Sequence, residues 1–244
     1  MEVIASRDFN QLFIYLDILF LVGLAGLLFY TKRYMTIIFG LLGGVIYFLV
    51  DYGIFYLLLG TRVIEGATPV TFLLWLSMSY GFTNFAWIWL FFNKDKRFLE
   101  WSVLIPLGWF AIALLSQNFG AGFAQISISR GTSSYHGFMA LILFAGYGYL
   151  ILQNLRHEKG SGERVDIKRL LGMGILVQFA WEFVLLITGI RAAGVMPLIV
   201  NSLLETNLGI PIIFFIHKAV TKFYSEDLRV IKPLPGSEIK TVKS

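Results

Sequence analysis

Four carboxyl-bearing residues lie inside long apolar stretches of this chain: Asp17, Asp51, Glu182 and Glu205. A charged residue at the centre of a membrane-spanning helix costs at least about 2.5 to 3.5 kcal/mol on insertion scales. Acids in such positions usually face the interior of a helix bundle, where they bind substrates or ions or transfer protons. These residues therefore predict a site inside a membrane, with proton transfer or ligand binding as its chemistry.

Glu182 is the first candidate for a catalytic acid. Gln178 precedes it by four residues, so the amide and the acid share one face of a helix. Arg191 follows nine residues later, which is about 13 Å along a helix axis and predicts no direct contact with the acid. We expect Glu182 to lie in an apolar setting and to act as a proton donor, with Gln178 in the binding site.

Glu205 is the second candidate acid, and it too has polar neighbours. Asn201 lies four residues before it and Asn207 two residues after it, so we predict that both bind substrate. Pro211 removes a backbone hydrogen bond and leaves a carbonyl near Asn207 free to face a cavity. In the alternative interpretation, Asn201 and Glu205 only connect neighbouring helices.

Asp51 is the third candidate acid, and Asp17 has the weakest indication of function. Tyr47 lies four residues before Asp51, so we expect its phenol near that carboxyl group. Asp17 lies about one and a half turns into its apolar stretch, where it would be a hydrated acid near the membrane surface.

Aromatic and amide side chains surround these acids in the sequence. Tyr80, Asn84 and Trp87 form one stripe along a helix, and Trp181 adjoins Glu182, so we predict that all four bind substrate. Aromatic faces beside a proton-donating acid suit a developing carbocation, a bound cation or a stacked ring. Trp and Tyr also form belts at membrane surfaces, which is the alternative explanation.

The composition indicates an integral membrane protein, because 57% of the residues are apolar and only 14% are charged. We predict an all-α fold with seven transmembrane helices in a domain of residues 1–224, followed by a flexible cytoplasmic tail of residues 225–244. The predicted spans are Leu12–Tyr30, Met35–Leu59, Val70–Phe92, Phe98–Leu115, Tyr135–Leu152, Ile167–Thr188 and Met196–Val220.

The distribution of basic residues predicts the orientation in the cell membrane. Of the 20 Lys and Arg residues, 16 fall in the connections after the first, third and fifth spans or near the C-terminus. The other four are Arg7, Arg62, Arg130 and Arg191. Because cytoplasmic connections are rich in Lys and Arg, we expect the N-terminus outside and the C-terminus in the cytoplasm.

Several functional classes lack any signature in this sequence. There is no cysteine, and the three histidines are predicted at the start of the fifth span, in a cytoplasmic loop and near the inner end of the last span, so they could not gather around one ion. We therefore predict no metal site and no cofactor. No nucleotide-binding or hydrolase motif is present. The net charge of +5 is explained by topology, so the predicted partners are the lipid bilayer and a small molecule, and no nucleic acid.

Two parts of the chain resemble each other. Gly60-Thr61-Arg62 closes the second span as Gly189-Ile190-Arg191 closes the sixth, and Thr83-Asn84 lies in the third span as Thr206-Asn207 lies in the seventh. We therefore predict parallel repeats of three spans joined by the fourth span, with a site between the halves. In the alternative, these short matches arise from the biased composition.

The stretch Gln178-Phe179-Ala180-Trp181-Glu182 resembles the Asn-x-x-Trp-Glu helix motif of the small seven-span membrane terpene cyclases of fungal meroterpenoid and indole-diterpene pathways, with Gln178 in place of the Asn. Leu203-Leu204-Glu205-Thr206-Asn207-Leu208-Gly209 is similar to that family's acid-bearing span. In that family intramembrane acids protonate an epoxide or alkene, and aromatic residues guide the cation. The resemblance implies a membrane-embedded enzyme for an apolar or amphipathic molecule, with Glu182 and Glu205 as the acids.

A transporter is the main alternative. The topology and the repeat also resemble those of sugar and vitamin carriers with a three-plus-one-plus-three plan, which bind a small solute near the midplane. Spans one, two, five and six contain none of the prolines typical of those carriers. A retinal-binding receptor is a third interpretation, but the last span has no central lysine.

Overall fold

The computed structural model describes residues 5–131, 136–156, 164–192 and 194–230, and most of these residues are helical, as predicted. A π-helix, Leu49–Leu58, continues the second α-helix without a break. The helix that ends the described chain runs six residues past the predicted domain boundary at residue 224, and the rest of the predicted tail lies outside the described residues. The α-helices are α1 (Gln11–Tyr30), α2 (Tyr34–Phe48), α3 (Pro69–Phe92), α4 (Phe98–Phe119), α5 (His136–Arg156), α6 (Ile167–Ile187) and α7 (Val195–Val230).

Five helical segments of the described residues are long and apolar enough to cross a membrane. They are Gln11–Tyr30, Tyr34–Leu58, Phe98–Phe119, Ile167–Ile187 and Leu198–Phe223. Helix α3 differs from them because side chains on all of its faces are buried among the other helices. The fold is therefore that of a helical membrane protein in which α3 lies at the centre of the bundle.

A three-stranded antiparallel sheet, which the sequence analysis did not predict, covers one end of the bundle. Its strands are β1 (Ala5–Asn10), β2 (Arg62–Glu65) and β3 (Gln125–Arg130), in the order β1-β3-β2. Each strand lies in a connection or at a terminus next to that end. Because the backbone groups of these segments need hydrogen-bond partners, pairing them with one another stabilises the connections.

An ion pair joins the connections at the opposite end. Arg33, between α1 and α2, donates from Nε and Nη2 to the two carboxylate oxygens of Asp95, between α3 and α4, at 2.7 and 2.8 Å. The Arg33 guanidinium also lies over the Trp101 ring, 5.1 Å from its centroid. These hydrogen bonds lower the pKa of Asp95 from its ordinary value, so the carboxylate stays charged at neutral pH.

The closest helix contact is between α2 and α3, where glycines face each other. A Cβ atom added to Gly81 would lie 2.7 Å from the Cα of Gly44, which is closer than such atoms approach in proteins. Small residues allow membrane helices to pack with their backbones in contact. The two helices thus form one tightly packed unit.

We expect Gly81→Ala to destabilise the protein by about 1 to 3 kcal/mol, because the neighbouring backbone cannot move aside cheaply. Gly26→Ala is the matched control: no described atom outside its own helix segment lies within 4 Å of an added Cβ, so it should be neutral or stabilising. Thermal unfolding of the purified protein in detergent measures both effects, and equal melting temperatures would contradict the close contact.

Candidate functional site

The four arginines that stand apart in the charge distribution meet in two pairs at the sheet. Arg62 of β2 lies directly opposite Arg130 of β3. Arg7 of β1 lies opposite Arg191, where residues 190–192 hydrogen-bond to the free edge of β1. Like charges opposite each other destabilise a sheet. Each pair is therefore expected to need an anion between its members.

Asp51 supplies that anion for the first pair. Its carboxylate accepts from Arg62 at 2.8 and 3.1 Å and from Nη2 of Arg130 at 2.9 and 3.0 Å. The Tyr80 hydroxyl donates to the same group at 2.7 Å. Tyr47, the phenol predicted near Asp51, packs against Tyr80, with ring centroids 4.6 Å apart.

Glu182 supplies the anion for the second pair. Nη2 of Arg7 donates to Oε1 at 2.5 Å, and Nη1 of Arg191 donates to Oε2. The prediction that Arg191 is too far from Glu182 is wrong. Helix α6 ends at Ile187, Gly189 turns the chain with a φ of +75°, and the Arg191 side chain extends back to the acid.

The expectation of an apolar setting for Glu182 is therefore wrong as well. The side chain is 0% exposed, but two guanidinium groups bind it and the Gln178 amide lies 3.3 Å from Oε1. Glu182 is thus held between two arginines inside the protein, and each of its carboxylate oxygens accepts from a guanidinium group. The sequence indicated this acid but not the arginines that bind it.

Glu205 has different surroundings. Nε2 of Gln178 donates to its Oε2 at 2.8 Å, and the Thr206 hydroxyl donates to Oε1 of Gln178 at 2.8 Å, which orients the amide. No arginine forms an ion pair with Glu205 in the part of the chain that the structure describes. Since Gln178 Nε2 contacts both Glu182 and Glu205, the two acids lie close together.

A cavity of about 720 Å³ connects Glu205 with the Asp51 cluster. It lies between the π-helix, α3, α5, α6 and α7 and is bordered by β2 and β3. Its volume falls in the range of ordinary small-molecule sites, and its walls are mostly apolar with a few polar groups, as in such sites. The polar lining residues are Asp51, Arg62, Tyr80, Arg130, Gln178 and Glu205.

Of the seven predicted binding residues, Gln178 and Tyr80 line this cavity. Trp87 and Trp181 pack against Trp109 of α4 instead, with ring centroids 6.3 and 5.0 Å away. Their indoles fill the space between α3, α4 and α6. They are core residues of the bundle in this structure.

The three predicted asparagines are also absent from the cavity lining. Asn207 accepts a hydrogen bond from the Tyr147 hydroxyl at 2.9 Å, between α7 and α5. Asn84 is buried within α3, and Asn201 is half-buried near the start of α7. Asn207 therefore connects helices, which is the role that the alternative interpretation gave to Asn201.

Asp17 is not the hydrated surface acid expected from its position. Its side chain is buried, and the Trp75 indole of α3 donates to Oδ2 at 2.9 Å. The rings of Phe9 and Phe13 pack against the Trp75 ring. Phe9 belongs to β1, a strand of six residues that the sequence analysis did not predict.

Among the described residues, no group of three or more His, Cys, Asp or Glu side chains could hold a metal ion. Comparisons of the chain with protein-family models, with curated proteins and with solved structures found no match. Fold and site together define a helical membrane protein with an internal, largely apolar cavity. One of its acids, Glu205, lines that cavity without an arginine partner in the described structure.

We expect Glu182→Gln to destabilise the protein more than Arg7→Gln does. The first change leaves two buried guanidinium groups without an anion, which costs about 3 to 5 kcal/mol. The second leaves a one-to-one ion pair between Glu182 and Arg191, so its cost should be smaller. Thermal unfolding of both variants in detergent shows which one is less stable.

The double variant Glu182→Gln with Arg7→Gln should be more stable than Glu182→Gln alone, because it removes the repulsion between the guanidinium groups. Asp95→Asn at the opposite end is the control for loss of a partly exposed pair, with an expected cost of about 1 kcal/mol or less. A double variant less stable than Glu182→Gln would contradict the pairing.

Proposed function

We propose that this protein is a membrane-embedded enzyme that acts on an apolar or amphipathic small molecule, with the Glu205 carboxyl group as the acid. One observation supports this most: Glu205 faces the cavity with an oriented amide as its hydrogen-bond partner, while Asp51 and Glu182 are bound by arginines. We therefore propose Glu205 as the catalytic acid, the role for which Glu182 was the first candidate in the sequence analysis.

Proton-initiated cyclisation is the proposed reaction. A protonated Glu205 would transfer its proton to an alkene or epoxide, and the ring would close through the resulting cation. The aromatic rings of Tyr47, Phe55 and Tyr80 line the cavity and could stabilise that cation. Return of a proton to the carboxylate would give a cyclic isomer of the substrate. The resemblance to membrane terpene cyclases supports this reaction class.

Transport of a small solute is the second candidate, and the repeated acid–arginine units favour it. Asp51 with Arg62 and Glu182 with Arg191 each join a helix to the segment that follows it. Both segments begin at a glycine with positive φ, Gly60 and Gly189. These features support the proposed three-plus-one-plus-three repeat, with a central cavity between the halves.

The sheet end is proposed to face the outside of the cell. The chain has no cysteine, so single cysteines report accessibility without background. Gly122→Cys, in the exposed connection before β3, should react with a membrane-impermeant maleimide in intact cells. Lys96→Cys, exposed at the opposite end, should react only after permeabilisation. The reversed pattern would contradict the orientation.

We expect Glu205→Gln to abolish most turnover, by about 10²- to 10⁴-fold, because the amide keeps its size and hydrogen bonding but has no acidic proton. The assay incubates membranes with isoprenoid epoxides and detects cyclic products by mass spectrometry. Glu65→Gln, at an exposed acid of β2, is the matched control.

Undiminished product from Glu205→Gln would refute the acid role. Uptake of a small solute by the intact protein, with no product from any tested isoprenoid, would favour the transporter instead. The two outcomes separate the candidate functions because only the enzyme changes its substrate chemically.

A further inference from the structure

The charges of the two acid–arginine clusters and Glu205 do not balance. A continuous network runs from the Glu182 cluster through Gln178 to Glu205, and the cavity connects it with the Asp51 cluster. With every group ionised, the network carries one excess positive charge, and protonation of Glu205 would raise the excess to two. The four cations are Arg7, Arg62, Arg130 and Arg191, and the three acids are Asp51, Glu182 and Glu205.

This excess lies away from water. The paired side chains of Arg7, Arg62 and Arg191 are at most 2% exposed, and that of Arg130 is 12% exposed. Asp8 and Glu65 are the other described acids on the strands of this end, and both are exposed, so water screens them. An uncompensated buried charge is costly, which favours the binding of a counter-charge.

The arginines also retain unused hydrogen-bond donors. Nε of Arg130, Nε and Nη1 of Arg7 and Nη2 of Arg191 are buried without an acceptor among the described residues. Of these three arginines, Arg130 lines the cavity. A guanidinium group matches the geometry of a carboxylate or a phosphate oxygen pair.

We propose that the cavity binds an amphipathic molecule with a singly charged anionic head group, a carboxylate or a phosphodiester, beside Arg130. Its apolar part would lie along Ile54, Met139, Ile142 and Leu208, which supply apolar wall in the same cavity. The inference rests on the proposed function because it assigns the substrate class of that cavity. With Glu205 protonated, as the proposed reaction requires, the lining residues Arg62, Arg130 and Asp51 leave one excess positive charge in the cavity, which one head group would cancel.

Binding of four lipids with the same hexadecyl chain tests this assignment. The full-length protein in zwitterionic nanodiscs is titrated with radiolabelled hexadecanoate, hexadecyl methyl phosphate, hexadecanol and hexadecyltrimethylammonium. At least one anion should bind about tenfold or more tightly than the alcohol, as expected for a charge-assisted hydrogen bond. The tighter anion identifies the head group. Equal binding of both anions and the alcohol, or tightest binding of the cation, would overturn the inference.

Variants locate the head group. Arg130→Gln should remove the preference for the anion, whereas Arg33→Gln, at an arginine ion pair of the opposite end, should retain it. Arg130→Lys keeps the charge without the planar fork, so it should show an intermediate preference for the anion. This variant tests the assignment if Arg130→Gln does not fold. A full preference in folded Arg130→Lys and Arg130→Gln would place the head group elsewhere and refute the assignment.

Glu205→Gln separates this inference from the proposed reaction. It removes a carboxyl group but no cation, so it should bind the anion at least as tightly as the unmodified protein while turnover is lost. Loss of turnover without any anion preference would refute the head-group assignment alone. Anion preference with full turnover in Glu205→Gln would refute the acid role alone.

Discussion

Two carboxylates buried between arginines hold the sheet to the helices, and the rest of the architecture depends on them. Asp51 joins the π-helix to β2, β3 and α3, and Glu182 joins α6 to β1 and to the segment that follows the helix. Without these acids, the sheet would place like charges opposite each other. Buried ion pairs contribute little net stability, but any arrangement that leaves one of these charges buried without its partner is strongly destabilised. The ion pairs therefore determine where the sheet lies on the bundle.

The same interactions distinguish the two acids that arginines bind from Glu205, the acid that we propose as reactive. Asp51, Glu182 and Glu205 are alike in hydrophobic context along the chain, and only their partners differ in the fold. Two of them are neutralised by guanidinium groups, while Glu205 receives an amide hydrogen bond at a cavity wall. Their environment, and not their depth in a helix, is therefore the basis for proposing Glu205 as the acid.

The helices could be predicted because long apolar stretches are visible in composition alone, and each predicted span coincides with a helix. The sheet could not be predicted, because its strands contain only four to six residues and each pairs with a strand far away in the chain. The wrong prediction for Arg191 treated the chain beyond Ile187 as a straight helix. Tyr80 was recognised as a site residue, but its hydrogen bond to Asp51 joins residues 29 positions apart on different helices, which local spacing in the sequence does not predict.

The separation of the paired residues along the chain gives synthesis a definite order. Asp51 and Arg62 are 11 residues apart, so they can pair as soon as the first helical hairpin leaves the ribosome. Arg7 and Glu182 are 175 residues apart, so the N-terminal strand cannot dock on its acid until six helices have been made. During that interval Arg7 has no Glu182 to bind, and Glu182 enters the membrane before Arg191 follows. The ion pairs of Asp51 can thus form before those of Glu182, and α7 is made after all of these paired residues.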